Sequence, residues 1–99
     1  MTSDTEPMEL VGSDIDMRRR RALWRANHRG TKELDILVGR YAEATLPELA
    51  GAELDLFEDF LAVTEADLQR WLLAPGERAD DKFTELVAAM RRFHGLTGA

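Results

Sequence analysis

Cysteine is absent from the 99-residue chain, so disulfides, a thiolate nucleophile and a zinc–thiolate site are excluded. Histidine is scarce: His28 and His94 are the two present, too few and too far apart in sequence to suggest a metal cluster. No apolar run approaches the ~20 residues of a membrane span. A Gly-rich phosphate loop and a nucleophile paired with a base are also missing, which argues against a small enzyme in its own right. Positive charge is in the minority, with 13 Lys and Arg against 19 Asp and Glu for a formal net charge of −6. A protein whose main task is to coat nucleic acid needs the opposite balance to face the phosphates. Alternating strand patterns, hairpin turn signatures, internal repeats and low-complexity segments do not occur, which leaves an all-helical reading.

What the chain does contain is enough apolar material for one modest core. With 44% apolar and 32% charged residues it can fold unaided, and a domain of this length buries roughly 60–70% of its unfolded surface. Charge is segregated along it. Residues 1–16 hold five acids and no base, 17–40 eight bases and two acids, 41–81 eleven acids and two bases, and 82–99 three bases and one acid. The polar, acidic opening reads as a disordered lead-in over residues 1–15, followed by a single domain over 16–96. That opening is not a signal peptide, and it lacks the arginine-rich, acid-poor character of a mitochondrial transit peptide. The expected location is therefore the cytoplasm.

Apolar spacing and end signals predict five helices. The first is capped by Asp14 or Asp16 and runs to about His28, with Leu23 and Trp24 as its main apolar contributions. Arg18 to Arg21 crowd its beginning, where they oppose the helix dipole. In the second, Leu34, Leu37, Val38 and Tyr41 have the i, i+3, i+4, i+7 spacing of one helix face. Gly39 among them predicts a close crossing by a neighbouring helix, and Leu46-Pro47 ends the segment. The third, from near Gly51 to Val63, turns Leu54, Phe57, Phe60 and Leu61 inwards. Thr64-Glu65-Ala66-Asp67 resembles a capping box and opens a fourth, with Leu68, Trp71 and Leu72 buried and Pro75-Gly76 at its end. Asp80 or Asp81 caps the fifth, whose stripe is Phe83, Leu86, Val87, Met90 and Phe93, with Gly95 as the stop. The expected architecture is all-α, a compact five-helix bundle joined by short turns, with a disordered acidic N-terminal segment.

The joint between the first two helices is the stretch around which the chain is organised. In His28-Arg29-Gly30-Thr31-Lys32-Glu33-Leu34-Asp35, Gly30 can take the left-handed conformation that follows a helix C-terminus. Glu33 falls in the next helix's first turn, where a carboxylate meets the positive end of the dipole. Arg29 and Lys32 are expected to point outwards from a tight corner. Arg21 and Arg25, one turn apart on the approach to Arg29, can extend a basic strip towards a partner. The competing reading pairs the arginines with the acids of the lead-in or of 41–81.

The run Arg29-Gly30-Thr31-Lys32-Glu33-Leu34-Asp35 resembles the Arg-Gly-x-x-Glu motif of the small flavinylation factors that assist maturation of the succinate dehydrogenase flavoprotein subunit. The similarity extends from about Met17 to His94. It includes Arg21-Ala22-Leu23-Trp24 before the motif, Leu54, Phe57-Glu58 and Leu61 in the third helix, and Asp67-Leu68 with Trp71-Leu72 in the fourth. This resemblance implies a five-helix bundle that is not an enzyme. It would bind the flavoprotein subunit of succinate dehydrogenase, or in some bacteria of fumarate reductase, and promote covalent FAD attachment. It further implies that Arg29, Gly30 and Glu33 lie at the client interface, with Arg21 and Trp24 on the preceding helix. The bond-forming nucleophile would be a client histidine. FAD would belong to the client and not be bound stably by this chain, which would be a monomer when free, with no metal, nucleic acid or membrane involved.

The run Arg18 to Arg21 also admits a different class of function, a small helical nucleic-acid-binding or regulatory module. A basic helix, a turn and a second helix invite comparison with helix-turn-helix proteins. The second helix, however, is acidic or apolar beyond Lys32, where a recognition helix would carry base-reading side chains.

Overall fold

The computed structural model describes residues 6–74, 76 and 78–96, with side chains from residue 14 onwards. Its helices are α1 (Glu6–Ala26), α2 (Lys32–Thr45), α3 (Gly51–Leu61), α4 (Glu65–Leu73) and α5 (Thr84–Phe93). No strand occurs among the described residues, and the five-helix, all-α architecture expected from the sequence is the one observed.

α1 begins at Glu6 instead of Asp14 or Asp16, so the boundary drawn between a lead-in over 1–15 and a domain over 16–96 falls inside a continuous helix. Residues 1–5 lie outside the described residues. Pro7 sits in the first turn, where its missing N–H has no helical partner to lose. The arginines 18–21 consequently occupy the helix interior, away from its positive end, and the dipole penalty expected for them does not arise.

The core-facing side of α1 is also different from expectation. Ala22 and Ala26, one turn apart, are buried, while Leu23 is only half-buried and Trp24 is exposed. Small residues let α1 and α2 close up. A Cβ added to Gly39 of α2 would lie 2.1 Å from Asn27 Oδ1 and 3.5 Å from the Ala26 carbonyl oxygen, which is the close crossing that a glycine inside the second helix predicted. The helix-propensity cost of Gly39 is accepted because a larger residue would collide with the end of α1.

α2 is central, burying Leu34, Leu37, Val38 and Ala42. α4 and α5 pack against it and α3 packs against α1, and Leu54, Phe57, Phe60 and Leu61 of α3, Leu68, Trp71 and Leu72 of α4, and Val87 and Met90 of α5 complete one buried cluster. Phe57, Phe60, Phe83 and Trp71 form a continuous aromatic chain, with successive ring centroids 6.4, 5.4 and 6.0 Å apart. Of the predicted stripe on the last helix, Phe93 is the exception: it is exposed and meets Tyr41 edge-on at 5.6 Å.

At α4 and α5 the helix ends follow the sequence signals except for the start of α5. Thr64 Oγ1 accepts from the Asp67 N–H at 3.2 Å and caps α4, while the Asp67 carboxylate pairs with Arg70. α5 starts at Thr84, later than a cap on Asp80 or Asp81 implies, because the chain first makes a one-turn 3-10 helix over Asp81–Phe83 that seats Phe83 in the core. Asp80 contributes its carbonyl, which accepts from the Phe83 N–H and the Thr84 hydroxyl, and makes no side-chain cap. At the other end, Gly95 at φ +72° brings the Leu96 N–H to the Arg91 carbonyl and its own N–H to the Arg92 carbonyl, the Schellman arrangement.

Gly39→Ala is expected to lose about 1 kcal/mol net, lowering the melting temperature by roughly 4–8 °C, because overpacking against Asn27 outweighs the gain in helix propensity. In an Asn27→Ala background the same substitution is expected to be neutral or stabilising. Thermal unfolding of the four proteins checks this, and an equal effect of Gly39→Ala in both backgrounds contradicts the contact.

Candidate partner-binding site

α1 ends at Ala26, so Gly30 is not its cap. The last carbonyls of α1 take backbone N–H bonds from Asn27 and His28, and the side chains of the same two residues add to them. Asn27 Nδ2 donates to the Leu23 carbonyl at 3.0 Å, and His28 Nδ1 lies 2.7 Å from the Trp24 carbonyl, which requires the Nδ1–H tautomer for His28 to donate. That bond swings the imidazole over the Trp24 indole, with ring centroids 4.0 Å apart and planes 13° from parallel. Trp24, expected to contribute to the core, instead lies on the outer surface of α1 at 62% exposure. Its ring is held by His28.

The turn itself is fixed at both ends. Gly30 has φ +116°, a region open to glycine and strained for other residues. Thr31 then caps α2, its Oγ1 accepting from the Leu34 N–H at 3.2 Å, and the Asp35 carboxylate reaches back to accept from the Arg29 N–H. With these two in place the cap does not need Glu33. Glu33 is exposed in the first turn of α2 and makes no hydrogen bond or ion pair among the described residues.

Arg29 does not point outwards, contrary to expectation. Its side chain is only 9% exposed. Nη1 donates to the Leu61 carbonyl, Nη2 donates to the Val63 carbonyl at 2.7 Å, and Nη2 lies 3.5 Å from Glu65 Oε2. The reason is local electrostatics. The end of α3 presents carbonyls that have no helical partner and carry partial negative charge, and a planar guanidinium can serve two of them at once.

The arginine run divides in the same way. Arg18 binds Glu58 through Nε at 3.0 Å and Nη2 at 2.7 Å, and Asp55 through Nη2 at 2.7 Å. Those bonds, to Glu58 first and Asp55 second, hold its guanidinium above its already high ordinary pKa. Arg19 donates from Nε and Nη2 to the Leu49 carbonyl at 3.0 and 2.9 Å. Arg20 and Arg21 remain exposed, without hydrogen-bond or ion-pair partners among the described residues. Arg18 is thus spent on joining α1 to α3 and Arg19 on joining it to the chain just before α3, which leaves Arg20 and Arg21 as the exposed pair of the run.

Arg21, Trp24, Arg25 and His28 follow the spacing of one helix face, and exposed Gly30, Lys32 and Glu33 continue from it around the corner. Arg29 lies beneath them. Sequence reasoning missed Thr31 and Asp35 as the residues that fix the turn, although a threonine just before a helical pattern is a standing cap signal. It also missed Glu65 and the carbonyls at the end of α3, for which sequence offers no signal, because they are more than 30 residues away from Arg29.

A family model described as flavinator of succinate dehydrogenase matches residues 20–94. Relatives include the FAD assembly factor SdhE of Acetobacter pasteurianus, 33% identical over 89 residues that cover 90% of this chain and 82% of that protein. Another is the mitochondrial succinate dehydrogenase assembly factor 2 of Debaryomyces hansenii, 31% identical over 71 residues that cover 72% of this chain and 50% of that protein. The chain thus spans about half the length of this mitochondrial relative. No solved structure matches it significantly.

Arg29→Ala is expected to lower the unfolding free energy by about 2 kcal/mol, since two charge-assisted bonds to carbonyls disappear. Glu33→Ala should change it by less than about 0.5 kcal/mol. Urea denaturation distinguishes them, and equal effects would contradict the division between a buried brace and a free surface charge.

Proposed function

The chain belongs to the family of succinate dehydrogenase flavinators, and on that premise we propose that it is an assembly factor that binds the flavoprotein subunit of succinate dehydrogenase, or of fumarate reductase, and promotes covalent attachment of FAD to it. The observation that carries the proposal is the pairing of an exposed, immobilised aromatic stack with a turn that is braced from beneath. Trp24 offers a large contact area whose ordering cost is reduced by His28. Gly30 lets a partner's backbone come close, and Glu33 and Arg21 provide unpaired charges of both signs for register and on-rate.

The mechanism is assistance. The client supplies the histidine that bonds to the flavin, and FAD belongs to the client and is not bound stably here. This chain's residues hold the client so that reacting groups already in one molecule meet in the productive orientation, a restriction that can remove much of an entropic barrier. Arg29 takes part from inside the fold, by keeping Gly30 and Thr31 in one shape. The protein acts as a cytoplasmic monomer, and none of its described helices is long and apolar enough to cross a membrane.

Trp24→Ala is expected to weaken binding to the purified flavoprotein subunit by at least about 30-fold, the size of an aromatic hot spot. Glu33→Ala should act mainly on the association rate, more so at low salt. Surface plasmon resonance against the subunit, with covalent flavin read by in-gel fluorescence, is the measurement. Unchanged binding and flavinylation in both variants would refute the assignment.

A further inference from the structure

Glu65 is the first residue of α4, outside the turn in sequence yet in contact with it in space. Its Oε2 lies 3.5 Å from Arg29 Nη2 and 3.5 Å from where a Cβ on Gly30 would sit. The carboxylate therefore rests against the open side of the one residue whose φ defines the corner. The start of α4 is placed by the Thr64 cap and by burial of Leu68, Trp71 and Leu72. Whatever fixes α4 thus fixes the carboxylate beside Gly30.

The pair is not built as a stability device. Glu65 is 42% exposed, its contact with Arg29 is long for an ion pair, and the guanidinium already has two carbonyl partners. Arg29 Nε and Glu65 Oε1 are buried with no hydrogen-bond partner among the described residues. A pair selected for energy would have used these atoms. What the arrangement does achieve is contact: the carboxylate lies at van der Waals distance from the Cβ side of Gly30.

We infer that Glu65 is a positioning residue for the partner-binding corner, setting the shape of Arg29–Thr31 from α4 without touching the client; the functional half of this inference rests on the corner being the docking site proposed above. Glu65→Ala opens the space over Gly30, and Glu65→Gln keeps the side-chain length and an acceptor for Arg29.

The test is a ¹H–¹⁵N correlation spectrum of the free variants together with their melting temperatures and their affinity for the flavoprotein subunit. Expected for Glu65→Ala are shifted or broadened Gly30 and Thr31 amide signals, a nearly unchanged melting temperature, and binding weakened roughly five- to tenfold, the cost of ordering one locked segment. Glu65→Gln should restore both signals and affinity. Gly30 and Thr31 signals that stay in place in Glu65→Ala overturn the inference, as does a parallel loss of stability and binding in both variants, which would make Glu65 merely structural. Corner signals that move while binding is untouched leave Glu65 as the residue that sets the turn and refute the corner as the docking site.

Discussion

The contact between the Arg29 guanidinium and the Leu61 and Val63 carbonyls is the constraint on which the rest depends. A turn between two helices, with a glycine at positive φ, would ordinarily be among the softest parts of a small bundle. Here the residue before that glycine is anchored to the C-terminal end of α3, in a region that concentrates negative partial charge. Asp35 holds the Arg29 N–H and Thr31 caps the following helix. The corner is therefore held in one shape from within the fold, the condition under which a docking surface loses least entropy on association.

The crossing of α1 and α2 explains why the outer face of α1 carries what it does. Because α1 meets the core with Ala22 and Ala26 and closes on Gly39, most of its larger side chains stay outside the core, with Leu23 half-buried at its edge. Met17 and Trp24 are left in solvent, and the arginines fall into two groups. Arg18 and Arg19 reach across to α3 and to the Leu49 carbonyl, and Arg20 and Arg21 face outwards. An exposed tryptophan stacked on a histidine that itself caps the helix is a surface feature kept in one geometry by backbone bonding. Such ordered aromatic surface is what protein interfaces use as anchors.

Much of the bundle was legible because helical periodicity reports burial directly. The α2, α3 and α4 stripes, the stop at Leu46-Pro47, the Thr64 cap and the close crossing at Gly39 all follow from local pattern. The errors share one cause, which is that a side chain's destination depends on residues far away in sequence. Arg29 looks like a surface charge until the end of α3 is placed beside it, and Trp24 looks like core until Ala22 and Ala26, two residues either side of it, take that role. α1 starts earlier than a cap at Asp14 or Asp16 implies, because an acidic stretch with an early proline is equally compatible with a first helical turn. Which residues of the corner face out and which brace the turn required coordinates.

The central claim is that a prearranged surface around Trp24 meets the client while the core stays as it is. The chain has two tryptophans, Trp24 exposed and Trp71 buried, so 5-fluorotryptophan labelling gives one reporter in each environment. Titrating unlabelled succinate dehydrogenase flavoprotein subunit into the labelled protein should move the Trp24 fluorine resonance strongly and leave the Trp71 chemical shift nearly where it was. A complex that forms with both shifts unchanged, or with the larger change at Trp71, would contradict the account.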